Sequence, residues 1–195
     1  EGLYDNTVVC LVSDNGGLST AEGSPTCNFP LRGGKGWLYE GGVRVPYIIK
    51  SPYMKGSTGI CRTPVSSTDF YPTILELTGA TLKPYQHKDG VNLVPLLKGD
   101  TIFDRGAIYF HYPHYGGKGD SPAGAIRKGD YKLIWFYEDN HIELYNLERD
   151  ISEKENLAEI QKERALSLQK ELREWLCSSG AKMPVYNPDY KEIKY

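Results

Sequence analysis

The chain has 195 residues, of which 39% are apolar and 25% are charged, and its formal net charge is -2. A chain of this size can bury a core, and its composition is that of a globular protein with one or two small domains. The near-zero charge and the lack of a Lys/Arg cluster argue against nucleic acid as the main partner, because phosphate binding needs a basic face. No run of about 18 apolar residues occurs, so the sequence predicts no membrane span.

The N-terminal part predicts two strands joined by a long loop. Residues 7–12 form a continuous apolar, β-branched run, which is typical of a strand covered on both faces, as in a parallel sheet. The stretch from there to Gly42 is polar and rich in glycine, so we expect a long ordered loop. Residues 43–50 predict a second buried strand, which Pro46 interrupts early.

A helix is predicted next. Ser67 or Thr68 caps it, its apolar residues recur on one side, and Gly79 ends it. The order of strand, loop, strand and helix indicates an α/β layer.

Beyond Gly99 the pattern changes to alternating strands, at residues 107–112, 123–128, 131–137 and 142–147. Gly129 and Asp130 predict a hairpin turn between the second and third of these strands. Residues 151–177 predict an amphipathic helix, with Leu157, Ile160, Leu168, Leu172, Trp175 and Leu176 on one stripe. The tail from residue 180 to 195 is rich in Tyr and Pro and predicts an extended strap. Residues 101–195 thus form a small antiparallel sheet with a packed C-terminal helix.

Four cysteines, Cys10, Cys27, Cys61 and Cys177, are widely spaced without a Cys-x-x-Cys pair, which argues against a structural zinc site. Two interpretations stay open. Cys27 and Cys61 form a disulfide, or all four are unpaired and Cys10 is buried in its strand.

Asp14 and Asn15 follow directly on the first strand, at the kind of strand end where α/β sheets place ligand sites. Their carboxylate and amide oxygens suit Ca²⁺ or Mg²⁺, although an Asp-Asn-Gly-Gly string is also a common turn. Lys35 lies on the glycine-rich loop, where a cation indicates phosphate or sulfate binding or is simply a solvated lysine. The flanking side chains of Arg32, Glu40 and Arg44 are expected to hold this loop by ion pairs and hydrogen bonds.

His111 and His114 close a strand and enter a loop that contains exposed aromatic residues. Together with the nearby Arg127, these histidines suit contacts to a sugar. The alternative interpretation is that both histidines are surface residues without a functional role. Zinc binding by this His-x-x-His pair is disfavoured, because Pro113 breaks the helix that usually presents such a pair.

The order of motifs along the chain resembles the arylsulfatase-type, formylglycine-dependent (type I) sulfatases. The resemblance covers nearly the whole chain. Its second signature region corresponds to Asp-Asn-Gly-Gly at residues 14–17, Arg-Gly-Gly-Lys-Gly at 32–36 and Tyr-Glu-Gly-Gly-Val-Arg-Val-Pro at 39–46. Further matching strings are Ser-Thr-Asp-Phe-Tyr-Pro-Thr at 67–73, Asp-Gly-Val-Asn-Leu at 89–93, Ala-Ile-Arg-Lys-Gly-Asp-Tyr-Lys-Leu at 125–133 and Glu-Leu-Tyr-Asn-Leu at 143–147.

The resemblance implies a fold and a set of roles. Residues 1–100 would be the C-terminal part of an alkaline-phosphatase-like catalytic α/β domain, and residues 101–195 its α+β subdomain. Asp14 and Asn15 match the second pair of Ca²⁺ ligands, and Lys35 matches the lysine that contacts sulfate. His111, His114 and Arg127 lie where such enzymes build loops that bind substrate. The substrate would be a sulfate ester, most often of a sugar, and the compartment periplasmic, secreted or lysosomal by analogy.

The formylglycine precursor of such enzymes, Cys-x-Pro-x-Arg or Ser-x-Pro-x-Arg, does not occur in the sequence. Since the chain also opens on Glu1 without a signal peptide, we expect a piece of a longer sulfatase, inactive without its N-terminal half, which would supply formylglycine and the other Ca²⁺ ligands. One alternative is an inactive module that binds sulfated glycans or serves in assembly. Another is a phosphatase or phosphodiesterase of the wider superfamily, although the Asp-Asn pair favours sulfate with Ca²⁺ over paired zinc ions.

Overall fold

The computed structural model describes residues 2–20, 23, 25–52, 54, 59–100, 103–117 and 120–190. The chain divides into two compact units, of which the first contains Glu1–Asn15 and Arg44–Ile108 and the second Gly16–Val43 and Tyr109–Tyr195. The glycine-rich loop therefore belongs to the same unit as the C-terminal strands. The domain boundary near residue 100 stays a prediction.

The first unit contains a two-stranded antiparallel sheet. Strand β1 (Val9–Val12) pairs with β2 (Tyr47–Lys50), with Val12 opposite Tyr47. The expectation that these strands are covered on both faces is wrong for this chain, since Leu11 is 58% and Ile48 60% exposed. A β-branched run favours an extended backbone whether or not a second layer covers it, so the pattern could not distinguish the two cases.

The second strand begins later than residue 43. Glu40–Val43 form one helical turn, α1, in which the N–H groups of Gly42 and Val43 donate to the Tyr39 carbonyl at 2.9 and 3.2 Å. Pro46 has no N–H to give to a ladder, which explains why strand pairing starts only at Tyr47.

The predicted helix of the first unit is confirmed as a short 3₁₀ turn, Ser67–Asp69, that continues into α2 (Phe70–Leu77). Its cap is Ser66 and not Ser67 or Thr68. The Ser66 hydroxyl accepts from the Thr68 N–H, and the Asp69 carboxylate accepts from the Ser66 N–H at 2.7 Å. A further short helix, α3, spans Val94–Leu97.

Four strands, in chain order, form the sheet of the second unit. β4, β5 and β6 pair antiparallel, and Gly129 takes a φ of 56° in the turn between β4 and β5, where a side chain would be strained. The four predicted strands are confirmed, with bounds Ile108–Tyr112 (β3), Ala123–Lys128 (β4), Tyr131–Phe136 (β5) and Ile142–Asn146 (β6).

Two elements of the second unit pack on this sheet. Helix α4 (Lys162–Ser178) lies against β4, β5 and β6 through its buried residues Ala165, Leu168, Leu172 and Leu176. Tyr39, from the end of the glycine-rich loop, joins a separate apolar cluster that includes Ala125, Ile134 and Tyr145 of the strands. The end of the glycine-rich loop therefore packs against the sheet through Tyr39, and Trp37 packs against the same cluster.

The apolar pattern predicted that the C-terminal helix begins at Ile151. In the structure it begins at Lys162. Residues 151–161 form turns, in which the Asp150 carboxylate accepts from the N–H groups of Lys154 and Glu155 at 2.7 and 2.8 Å. Such side-chain bonds offer the backbone an alternative to helix. Ile160, predicted on the apolar stripe, is consequently 74% exposed.

The other predictions concern the tail, the thiols and the membrane. Residues 180–190 form no helix or strand, and 191–195 lie outside the described residues. All four cysteines are free thiols, and Cys10 is half-buried in β1. Within the described ranges, no helix has both the length and the apolar content that crossing a membrane requires.

Candidate functional site

Asp14 and Asn15 end the N-terminal stretch of the first unit, and Ser13 separates them from β1. Asp14 is exposed and Asn15 half-buried, and the Ser13 hydroxyl donates to the Asn15 carbonyl at 2.8 Å. Their oxygens are hard ligands, so the donor chemistry fits Ca²⁺. In the described part of the chain no cluster of three or more His, Cys, Asp or Glu residues is arranged to hold a metal ion. Two oxygen ligands fall short of the six to eight that Ca²⁺ takes, and metal binding by Asp14 and Asn15 stays a prediction.

The glycines of the loop let backbone segments approach more closely than any side chain allows. A Cβ on Gly16 would lie 1.8 Å from the Gly41 carbonyl oxygen, and one on Gly42 would lie 2.0 Å from that of Trp37. The Gly16 N–H donates to the Gly42 carbonyl at 2.9 Å. The glycine-rich composition thus reflects direct packing of backbone on backbone.

Lys35 lies on the exposed part of this loop, in the second unit. Its N–H donates to the Gly17 carbonyl at 3.1 Å, and the Asn28 side-chain amide donates to the carbonyls of Gly17 and Gly33 at 2.8 and 3.0 Å. Beyond Lys35, the Trp37 N–H donates to the Gly34 carbonyl at 2.9 Å, so hydrogen bonds fix the backbone before and after the exposed Lys35.

A buried cluster of charges holds the end of the loop. Glu40, Lys132 and Glu153 are 5%, 1% and 0% exposed, and the Lys132 ammonium lies 3.1 Å from Glu40 Oε1 and 2.9 Å from Glu153 Oε1. The Glu40 N–H donates to Glu153 Oε2 at 2.7 Å. Burial raises the pKa of the Glu153 carboxyl above its ordinary value, although Lys132 and the Glu40 N–H act in the opposite direction.

Arg32 holds the other end. Its Nη1 donates to the Glu153 carbonyl and to the Tyr145 hydroxyl, both at 2.9 Å, and its guanidinium lies 3.8 Å from the centre of the Tyr39 ring. The Tyr39 hydroxyl in turn donates to the Glu143 carboxylate at 2.7 Å. The prediction that Arg32 and Glu40 hold the loop is confirmed, whereas Arg44 belongs to the first unit.

Two of the three residues predicted to bind substrate are engaged within the second unit. The His111 ring lies 2.8 Å from the Tyr137 hydroxyl and 3.0 Å from the Lys182 carbonyl oxygen. Arg127 donates to the Gly129 carbonyl at 2.9 Å and lies 3.8 Å from Glu40 Oε2. His114 is exposed, and its ring lies edge to face with that of Tyr112, with 5.5 Å between the ring centres. Their contact with substrate stays a prediction.

Lys132 and Glu153 are the residues that sequence reasoning missed. Lys132 stands within the apolar strand pattern of residues 131–136, and a charged residue among buried neighbours is a signal for a paired charge. Glu153 gave no such signal, because residues 151–177 were predicted to form an amphipathic helix, in which a charged residue off the apolar stripe is ordinary.

Comparison with known proteins gives a consistent result. The family model described as N-sulphoglucosamine sulphohydrolase, C-terminal, matches residues 33–182. A sulfatase of Formosa agariphila is 36% identical in an alignment of 210 positions that covers the whole of this chain and 37% of that protein. The chain thus spans little more than a third of this relative's length.

Solved structures show the same likeness. The crystal structure of Ps i-CgsB in complex with k-i-k-neocarrahexaose matches with a TM-score of 0.74 and 33% identity, over 88% of this chain and 37% of that one. The structure of BT4656 in complex with its substrate D-glucosamine-2-N,6-O-disulfate matches with a TM-score of 0.65 and 28% identity, over 94% and 36% of the two chains.

Proposed function

The chain belongs to the family of sulfatase C-terminal domains, and from this membership we propose that it supplies part of the active site of a sulfuric ester hydrolase. Lys35 contacts the sulfate group. Asp14 and Asn15 supply two ligands of a Ca²⁺ ion. The nucleophile, a formylglycine, comes from sequence outside residues 1–195.

The observation that carries the proposal is the position of Lys35. It is an exposed cation on a loop whose backbone is fixed by hydrogen bonds and whose ends are bonded through Arg32 and Glu40. A sulfate ester gains negative charge on its leaving oxygen as the S–O bond breaks, and preorganised positive charge stabilises such a transition state. A cation on a loop held in this way suits that task better than one on a mobile tail.

The donor set at Asp14 and Asn15 supports the metal assignment. Ca²⁺ takes six to eight oxygen ligands, so at least four more would come from the rest of the protein or from substrate and water. When bound, the ion would add positive charge beside the sulfate oxygens. Asp14 would contribute charge and Asn15 a neutral oxygen.

The exposed apolar surface of the first unit supports the proposal that the rest of the sulfatase is the binding partner of this chain. Val9 and Leu11 of β1 and Ile48 of β2 are each at least half exposed, and uncovered apolar side chains of adjacent strands are typical of an interface. We propose that residues 1–100 complete a catalytic α/β domain together with that sequence and that 101–195 form its subdomain.

A sulfated sugar is the substrate class that we propose. BT4656 was solved with a sulfated glucosamine and Ps i-CgsB with a neocarrahexaose. His114 and the 65% exposed Tyr115 would offer rings to the apolar face of a sugar. His111 and Arg127 would act beside them.

The test is sulfate release by the full-length protein and by residues 1–195 alone, with an aryl sulfate and a glucosamine sulfate as substrates. We expect turnover by the full-length protein and none above background by the chain, whose folding is checked by circular dichroism. Equal turnover by both would contradict the proposal. If neither turns over but the chain binds the glucosamine sulfate in a Ca²⁺-dependent manner, the chain is a glycan-binding module instead.

A further inference from the structure

Glu153 makes contact with both ends of the loop segment 32–40. Its carboxylate accepts the Glu40 N–H at 2.7 Å and pairs with Lys132 at 2.9 Å, while its carbonyl accepts from Arg32 Nη1 at 2.9 Å. Lys35 lies between these two ends. A single residue, more than a hundred positions away in sequence, therefore bonds to both ends of the loop segment.

This arrangement is energetically expensive. Glu153 is fully buried and has a φ of 51°, in the left-handed region that non-glycine residues rarely adopt because Cβ crowds the following carbonyl oxygen. Burial of a carboxylate also carries a desolvation penalty, which the ion pair with Lys132 opposes. An apolar residue on a relaxed backbone would anchor the turn at lower cost, so the strain and the buried charge indicate a functional constraint.

The charges around Glu153 balance in sign. Glu40 and Glu153 supply two negative charges, and Lys132 and Arg127 two positive ones, with Arg127 3.8 Å from Glu40. Removal of one member leaves another charge buried without its partner. The ion pairs of this cluster and the bond from the Glu40 N–H to Glu153 hold the Glu40 end of the loop.

We propose that Glu153 is a positioning residue for the reaction, acting through Arg32 and Glu40 on the position of Lys35. The proposal rests on the function proposed above, since it assumes that Lys35 contacts sulfate. A glycine-rich segment has many conformations when its ends are free, and tying both ends to one residue removes most of them. Glu153 itself touches neither substrate nor metal in this account.

The test is a double-mutant cycle with Glu153→Gln and Lys35→Ala in the full-length protein, read out as kcat/KM for a sulfate ester. Because a displacement of about 1 Å can cost about 100-fold in rate, we expect Glu153→Gln to lower kcat/KM by about 10- to 100-fold. In the Lys35→Ala background the further loss should fall below about twofold, since coupled residues are not additive.

Two controls separate positioning from stability and from charge. Leu172→Ala, in the buried face of α4, destabilises the same unit but removes no charge from the cluster, so it should act equally in both backgrounds. Glu174→Gln removes the same charge from a side chain that is 66% exposed and should leave kcat/KM unchanged. If Glu153→Gln fails to fold, Arg32→Gln takes its place in the cycle, because Arg32 is exposed yet bonds to the Glu153 carbonyl.

The outcomes are distinct. A loss that vanishes without Lys35 supports the proposal. An equal loss in both backgrounds, or none in the wild-type background, overturns it and leaves the proposed function intact. If Lys35→Ala alone changes nothing, the proposed function fails and this inference fails with it.

Discussion

Lys35→Ala in the full-length protein is expected to lower kcat/KM for a sulfate ester by about 100- to 1000-fold, the usual cost of removing one preorganised group that stabilises developing charge. The loss should fall mainly on kcat if Lys35 acts on the transition state and on KM if it only binds the ground state. Steady-state kinetics with an aryl sulfate measure both. Because Lys35 is exposed, its removal should not change the melting temperature.

Two variants make this result specific. Lys170→Ala removes a lysine that is 78% exposed on α4 and should leave the kinetics unchanged. Lys35→Arg keeps the charge but replaces a compact ammonium with a planar fork, so its activity should lie between that of the wild type and that of Lys35→Ala. Wild-type activity in Lys35→Ala would remove Lys35 from the site.

Gly16→Ala is expected to have the largest effect on stability, a loss of about 3 kcal/mol or more, since overpacking against rigid backbone is at the upper end of such costs. The added Cβ would lie 1.8 Å from the Gly41 carbonyl oxygen, and neither backbone can move without breaking the Gly16 to Gly42 hydrogen bond. Urea unfolding followed by circular dichroism measures the shift in midpoint.

The matched control is Gly59→Ala. Among the described residues, a Cβ at Gly59 meets no atom within 4 Å, and the φ of Gly59 is not in the left-handed region, so the free energy of unfolding should change by less than about 1 kcal/mol. If Gly16→Ala were as stable as Gly59→Ala, the close backbone packing described for the loop would be wrong.

The sequence predicted the parts of the fold that depend on local patterns. Alternation and the Gly129 turn located β4 at the residues where the structure has it. The start of α4 was missed, because the Asp150 side chain and the left-handed Glu153 stabilise turns where the apolar pattern continues to favour helix. Contacts across the fold, which no local pattern records, decide that competition.

The same distinction applies to the candidate site. Asp14, Asn15 and Lys35 stand out because ligand oxygens after a strand and a cation among glycines are short-range patterns. Lys132 and Glu153, which hold the loop, are about a hundred residues away from Glu40 in sequence, so only the folded chain brings them together. The strand pattern around Lys132 does not indicate which distant residues pair with it.

The central claim, that this chain supplies ligands and a cation to a sulfatase site, is tested most directly by Ca²⁺ binding. After chelation and dialysis, calorimetric titration of the full-length protein should show one Ca²⁺ site. Asp14→Ala should weaken or abolish it through the loss of a charged ligand. Asp5→Ala, which removes an exposed carboxylate from the same unit, should leave the Kd unchanged. Wild-type Ca²⁺ affinity in Asp14→Ala would contradict the account.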